Sequence, residues 1–506
     1  MSSTNIPIVF IHIGGAPPDY ARVAVRQARL WNPVAPIFFL SSVVEDYGVD
    51  ETWVALTDIP KGATRKHFED TTELDSTWRG GFWRVTTERL FILEDWMRSA
   101  GVEECLHVEN DNMLYAEVAG LVPFLRKGNG LSTPFHSSGG DRLRVCFSVL
   151  YCKSVDALAN FLFCLASSKV NVDEMIRGGD YWLDTPEECS LLPSTPVGVK
   201  LLYETYRSWY ENPAFPYIFD GAAHGQYLGG EDPRNGSQGP GFVNKDADFR
   251  TDQFDYEWRT GENGRYPVII KDGIWKLANL HIHCKQLTDF VSHPVEPTYT
   301  EASYSQAGQD QFVLAVLNKK RGGQFLEIGS SDPIKINNTF LLEKAYGWHG
   351  LMVEYERHWA LHYRQHRTSD YVIHDATTFD YAAFFAAQNY PKVIDYLQID
   401  LHVSNNSTMK ALELLDKTVF PHYTFSVVTF EHDFYTGEGD YTRRHSREIF
   451  LRNGYCLVFA DVKNGGGPFE DWYVHPSSVD MEYIDRVKSD QSMEWTECLA
   501  LAAAAR

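Results

Sequence analysis

The eight cysteines form no C-x-x-C pair and no zinc-ribbon spacing, which sets aside a structural zinc ribbon and fits a reducing compartment. No basic region stands ahead of the short apolar run that follows Met1 to Asn5, so no signal peptide is read there. Apolar stretches such as Ile37 to Leu40 and Phe161 to Leu165 fall far short of the roughly 18 residues a spanning helix needs, and read as buried strand or helix. The formal glycosylation sequons at Asn235, Asn337, Asn405 and Asn406 therefore carry no weight. Basic residues are the minority, 46 Lys and Arg against 68 Asp and Glu, for a net charge of −22. Such a field repels nucleic acid and anionic membranes. A bound nucleotide would have to be held locally, by a metal ion or a few Arg and Lys side chains.

What is present is ample core material: 44% of the 506 residues are hydrophobic, with 13 Trp, 27 Tyr and 30 Phe. Domains usually hold roughly 100 to 200 residues, so two large domains are expected. Ile8 to Ile13 reads as a strand broken by Gly14-Gly15, followed by a helix from Asp19 to Leu30 and a strand at Ile37 to Leu40. Arg84 to Met97 has helical spacing, and Cys105 to Val108 is a short strand running into Glu109-Asn110-Asp111. This alternation predicts an α/β sheet. From Asn212 to Tyr266 the chain turns to Gly, Pro, Asn and aromatics, a long irregular segment of the kind that carries function. The prolines of Ser292 to Pro297 suit a semi-rigid connector, which predicts domains over 1–298 and 299–506. A second α/β series follows: helix Gln309 to Leu317, strand Gln324 to Ile328, helix Thr339 to Tyr346, strand Gly350 to Glu354 and strand Ile394 to Ile399. Leu499 to Arg506 is alanine-rich and reads as a frayed helix or an expression remnant.

Ligand crevices of such sheets lie outside the carboxyl ends of strands, where Glu109-Asn110-Asp111 falls. Two carboxylates one residue apart suit a divalent ion that neutralises a departing diphosphate, the logic of a sugar-nucleotide transferase; a solvated acidic turn is the simpler alternative. His281-Ile282-His283 puts two imidazoles on one face of a strand, where one can complete a metal shell or both can be satisfied by backbone. The stretches Phe82-Trp83-Arg84 to Thr87-Glu88-Arg89, His107 to Tyr115, and Phe219 to Gly230 resemble GT-A-type glycosyltransferases of bacteria and large DNA viruses, over roughly residues 6 to 290. The resemblance implies a GT-A-like α/β domain with Mn²⁺ or Mg²⁺ held by Asp111, Glu109 and His283. Glu109 in place of the first acid of D-x-D leaves open whether it meets the metal or the donor ribose. An inverting transferase also needs a base for the acceptor hydroxyl, for which Asp232 and then Asp220 are the candidates. Gly229 and Gly230 would line the acceptor side, and Arg84 is a candidate diphosphate contact or merely an exposed helix arginine.

In the second half, Glu327-Ile328-Gly329-Ser330-Ser331-Asp332 reads as a buried strand and a small-residue loop without G-x-G-x-x-G. That absence disfavours a pyrophosphate ligand and is compatible with S-adenosylmethionine, which carries no phosphate. Glu354, 22 residues after Asp332, is spaced to take ribose hydroxyls, and Asp375 to accept from an adenine amino group. Tyr304 to Asp310, the Glu327 loop, Asn338-Thr339 with Leu342 to Lys344, and Ile394 to Asp400 resemble FkbM-type methyltransferases, over about residues 303 to 475. This implies a Rossmann-like S-adenosylmethionine domain acting on sugar hydroxyls, with Glu327, Gly329, Asp332, Glu354 and Asp375 about the cofactor. The family's glutamate two residues beyond Asp400 is replaced by His402. For the base that takes the alcohol proton, His432 is preferred, in a cluster with Asp400, His402, Glu431 and Asp433.

Together these readings predict a bifunctional glycan-building enzyme that uses a UDP- or GDP-sugar donor and a glycan acceptor and then O-methylates a sugar. The predicted location is the cytoplasm, the host's if the chain is viral. Two rivals stand beside it: one active half with the other a docking module, and a carbohydrate-binding scaffold without turnover.

Overall fold

The computed structural model describes residues 4–137, 143–167, 173–196, 215–236, 238–247, 249–294, 300–437 and 439–505. The chain is mixed α/β and divides into two compact units, Met1–Val295 and Glu296–Arg506. The boundary expected near residue 298 lies outside the described residues. Among those described, no helix is long and apolar enough to cross a membrane.

In the first unit, β1 (Ile8–His12), β2 (Ile37–Ser41), β3 (Thr52–Ala55) and β4 (Cys105–Val108) are parallel neighbours in the order β3-β2-β1-β4. A short strand, β5 (Asn112–Leu114), follows β4 and lies outside this sheet. Past β4 the sheet continues antiparallel through β8 (Val149–Cys152) to β6 (Leu131–Ser137), which also pairs with β7 (Arg144–Val145) and β9 (Cys189–Leu192). The strands β1 and β4 are mostly apolar and buried, with His107 inside β4, as expected of the covered centre of a parallel sheet. The helix Asp19–Trp31 buries Ala21, Ala24, Val25 and Ala28, a stripe at helical spacing. The helix Phe82–Ala100 buries Leu90, Phe91, Ile92, Leu93 and Met97, and ends at Gly101 in the left-handed region.

The stretch Asn212 to Tyr266, expected to be irregular, holds more order than its composition suggests. It contains β10 (Tyr217–Ile218), the helix His224–Gly229, β11 (Asp255–Gly261) and the start of β12 (Gly264–Ile270). The last two form a hairpin, and with β13 (Ile274–Leu277) they make the sheet β10-β13-β12-β11. Finally β14 (Asn279–His281) pairs antiparallel with β5, setting His281 opposite Asn112.

In the second unit, β15 (Gln324–Ile328), β16 (His349–Glu354), β17 (Asp370–Ile373), β18 (Val393–Ile399), β19 (Thr424–Glu431), β20 (Cys456–Lys463) and β21 (Pro468–Val474) form one sheet in the order β17-β16-β15-β18-β19-β21-β20. The first five are mutually parallel and β21 runs against both its neighbours. This is a doubly wound sheet with a reversed strand inserted beside the fifth. Alternate residues feed two cores: Phe325, Met352 and Tyr396 on one face, Leu326, Leu351 and Leu397 on the other. The C-terminal segment read as frayed is the helix Trp495–Ala504, which buries Cys498 and Ala502 and opens with a capping box between Glu494 and Glu497.

Candidate functional site

In the first unit the strand order reverses between β1 and β4, and the crevice outside their carboxyl ends is where a ligand belongs. Glu109 and Asp111 occupy the turn between β4 and β5, closed by the Asn112 N–H donating to the Glu109 carbonyl at 3.1 Å. Because β14 pairs with β5, and the Ile282 N–H donates to the Asp111 carbonyl at 2.9 Å, His281 is carried to the same place. Its Nε2 lies 3.1 Å from Glu109 Oε2 and 3.2 Å from Asp111 Oδ1. One ligand atom from each of these three residues lies within 4.8 Å of the others.

The charges fit that grouping. Burial by itself would raise both carboxyls, but Arg89 followed by His281 holds Glu109 below its ordinary range, and Lys285 followed by His281 holds Asp111 well below. Burial would lower His281, yet Asp111 and Glu109 raise it well above an ordinary imidazole. Arg89, Lys285 and His281 together balance the two carboxylates.

His283, the expected ligand, lies one residue beyond the partner of Asp111 and past the end of β14. Its ring lies against that of His281, centroids 4.2 Å apart and planes tilted by 49°, and Gln226 Nε2 lies 3.2 Å from its Nδ1. Its Nε2 is buried without a hydrogen-bond partner among the described residues, and burial followed by His281 lowers its pKa well below the ordinary value. The three-residue ligand set with an orphaned imidazole nitrogen alongside fits a divalent ion. His281 is thus the histidine that meets both acids directly, a correction to the expectation.

Three further expectations for this unit are corrected. Asp220 is fully buried and spent on backbone: Ala223, His224, Gly225 and His281 donate N–H groups to it at 2.8, 2.9, 2.7 and 2.9 Å, so it organises the loop and has no free lone pair aimed outward. Asp232 pairs with Arg79 at 2.6 Å and Arg234 at 2.8 Å. These arginines outweigh its burial and depress its pKa, which makes it a weak base. Arg84 is half-buried on its helix, and the helix arginine that engages the acids is Arg89, paired with Glu109 and 3.8 Å from Glu174. Gly229 and Gly230 end the helix that Asp220 caps, Gly230 with φ +96°. Arg89 closes the stretch Thr87-Glu88-Arg89 that carried the family resemblance, and Lys285 lies two residues past His283; the cations Arg79 and Arg234 had no motif to announce them.

The second unit reverses its strand order between β15 and β18. Gly329 follows β15 with φ +79°, and a Cβ there would overlap the Asp400 carbonyl oxygen, so the two lips of the crevice touch at a residue without a side chain. Glu354, buried at the end of β16, accepts N–H bonds from Ser331 at 2.7 Å and from Tyr355 and Glu356 at 2.8 Å each. Of its roughly four lone-pair positions one stays available. Glu327 lies inside the sheet, accepting from Asn338 N–H at 2.9 Å and Thr339 Oγ1 at 2.6 Å, its pKa pushed up to about 7 by burial. It shapes the loop from beneath. Asp332 accepts from Ile334 and Lys335 N–H within its own turn. Asp375 is exposed and turned onto Thr377, which leaves it unsuited, as it stands, to hold an adenine.

At the far lip, Asp400 and Glu431 hydrogen-bond each other, with Asp433 and the exposed His402 close by. Burial and then Asp433 raise Asp400; burial and then Asp400 raise Glu431 well above an ordinary carboxyl. His432, the preferred base, is corrected: it is fully buried, with Nε2 3.5 Å from Asp471 and 3.7 Å from Asp461. Those two acids are already met by Arg447 at 2.7 Å and Arg443 at 2.5 Å, so this trio is a structural ion network rather than a metal site.

No protein-family model matches the chain, and no curated protein matches it. Among solved structures, mouse xyloside xylosyltransferase 1 aligns at 9% identity and TM-score 0.29, over 40% of this chain and 93% of its own. A glycosyltransferase involved in the glycosylation of the major capsid of PBCV-1 aligns at 10% identity and TM-score 0.23, over 40% and 88%. A putative rRNA-methylase from Clostridium thermocellum aligns at 10% identity and TM-score 0.24, over 34% and 97%. Likenesses this low carry no argument about activity, which rests on the residues themselves.

Proposed function

We propose that the first unit is a metal-dependent glycosyltransferase that uses a nucleotide-sugar donor and a glycan acceptor, and that the second is an S-adenosylmethionine-dependent O-methyltransferase acting on a sugar hydroxyl. The observation that carries the first half is the convergence of Glu109, Asp111 and His281, with ligand atoms within 4.8 Å, beside Lys285, Arg234 and Arg79. In a chain of net charge −22 such a knot of cations is local and purposeful, and it suits a diphosphate. A divalent ion held by Glu109, Asp111 and His281 would supply Lewis acidity toward the leaving diphosphate. Lys285 and Arg234 bind phosphate oxygens, Arg89 fixes the Glu109 carboxylate, and Asp220 keeps the loop that presents His281 rigid.

In the second unit Gly329 admits close approach of a ligand to the backbone and Glu354 offers its remaining lone pair to a ribose hydroxyl. S-adenosylmethionine, when bound, supplies the electrophilic methyl group. The Asp400–Glu431 pair shares one proton across its hydrogen bond, and its remaining carboxylate, made more basic by burial, takes the proton of the sugar hydroxyl in place of His432. The full-length protein incubated with Mn²⁺ and a panel of UDP- and GDP-sugars tests the first activity by release of nucleoside diphosphate. Calorimetry with S-adenosylmethionine and its demethylated product tests the second. Absence of turnover across the panel, or heat with NAD and none with S-adenosylmethionine, removes the corresponding half.

A further inference from the structure

Trp78 is 45% exposed, and it stands at the turn that carries Arg79. Arg79, Gly80 and Gly81 are three successive left-handed residues, with φ 51°, 72° and 80°. A non-glycine residue there costs on the order of 1 kcal/mol or more, so the surroundings must hold it. They do so through its guanidinium, which pairs with Asp232 at 2.6 Å, hydrogen-bonds Asn235, and lies 5.1 Å from the Trp78 ring centre and 4.9 Å from that of Phe82. The Trp78 and Trp83 planes are 7° apart with centroids at 6.2 Å, and Phe82 stands edge-on to both. The exposed indole is therefore a fixed flat surface with a polar rim. It is also tied to the first unit's acids: Asp232 holds Arg79 and feels Lys285, and Lys285 pairs with Asp111.

We infer that Trp78 is a platform on which a pyranose ring of the acceptor glycan stacks, its C–H face on the indole and its hydroxyls toward Asn235 and the half-exposed Arg234. The inference rests on the glycosyltransferase reading of this site and adds to it the acceptor subsite. A sugar matches both parts of the surface, an apolar face beside donors and acceptors. A protein partner would call for a contiguous apolar patch of several hundred Å², where here one exposed ring is flanked by the charged Asp75 and Arg79. A nucleic acid is opposed by the net charge of −22.

The test uses the full-length protein and saturation-transfer NMR with the methyl α- and β-pyranosides of glucose, galactose, mannose, xylose and rhamnose. At least one glycoside is expected to receive saturation on the protons of one ring face. Trp78→Ala should weaken that binding about tenfold, and Trp78→Phe should restore most of it. Val34→Ala, at a residue 73% exposed, serves as the control. In transfer assays Trp78→Ala should raise acceptor KM by about the same factor, with a smaller change in kcat. If no glycoside is saturated, or if Trp78→Ala binds as the wild type does, the platform is wrong. Donor turnover by the wild type with an unaltered acceptor KM in Trp78→Ala sinks the platform and spares the transferase. Binding through Trp78 without turnover of any donor supports the platform and sinks the transferase.

Discussion

The carbonyl oxygen of Asp400 occupies the space that a side chain on Gly329 would need. The loop after β15 and the end of β18 are thereby locked at the point where the second sheet changes direction. Gly329→Ala must relieve both this overlap and a φ of +79°. The backbone conformation alone costs roughly 1–3 kcal/mol. The expected outcome is a lower unfolding midpoint for the second unit, seen by calorimetric scanning, together with loss of S-adenosylmethionine binding. A variant with unchanged melting and unchanged binding would mean that the crevice is not built on this contact.

At the acids of the first unit, Asp111→Asn removes one of two carboxylates, and His281→Ala removes the nitrogen that meets both. Each should lower Mn²⁺ affinity, measured by the paramagnetic resonance of free Mn²⁺, by at least about tenfold, since truncating a ligand typically costs that or more. His283→Ala should act more weakly, because its Nε2 meets neither acid at ion-pair distance. A larger effect from His283 than from His281 would reverse the assignment.

Glu354 holds three backbone N–H groups, and the proposed methyltransferase would use it also as a charged acceptor for a ribose hydroxyl. Hydrogen bonds to charged groups are worth roughly 1.5 to 3 kcal/mol, so Glu354→Ala should weaken S-adenosylmethionine about tenfold to a hundredfold by calorimetry. Glu354→Gln keeps an oxygen for the loop and should lie at the weaker end. Equal affinity in all three proteins would detach Glu354 from the ligand.

The strands and helices that build both sheets were legible because their signal is local: an apolar run for β1, β4, β15 and β18, and helical spacing for Asp19–Trp31 and Phe82–Ala100. The grouping of Glu109 with Asp111 was legible for the same reason. What stayed hidden depends on pairing across long sequence separations. The choice between His281 and His283 is made by the register of β14 on β5, and the Arg79–Asp232 pair spans 153 residues. Asp220 and His432 had plausible identities for a base, and only burial reveals that one is consumed by backbone N–H groups and the other sealed beneath an arginine–aspartate network. The hairpin of β11 and β12 did carry a local signal, Asn263-Gly264 at its turn between aromatic and β-branched runs, but it lay inside a stretch read as irregular from its Gly, Pro and Asn content.

Glu470 gives the second unit a pH dependence whose sign can be worked out. It is fully buried on β21, accepting from Trp472 Nε1 at 2.7 Å and Gln309 Nε2 at 3.0 Å, and burial pushes its carboxyl up to about 8. An unfolded chain would lose this proton near the ordinary glutamate value, about 4.3. Between those two values the folded state holds a proton that the unfolded state has released. Stability contributed by the neutral carboxyl is thus fully present below the unfolded value and declines as pH rises through the folded one, by roughly 1.4 kcal/mol per unit across the interval. Glu470→Gln cannot ionise and should flatten this slope while keeping the hydrogen-bonding atoms. Urea unfolding of the full-length protein and of the Glu470→Gln variant at successive pH values from 5 to 9, followed by the near-ultraviolet signal of the buried aromatic side chains, makes the comparison. Parallel curves for the two proteins would show that Glu470 is charged in the fold and that its amide and indole donors outweigh its burial.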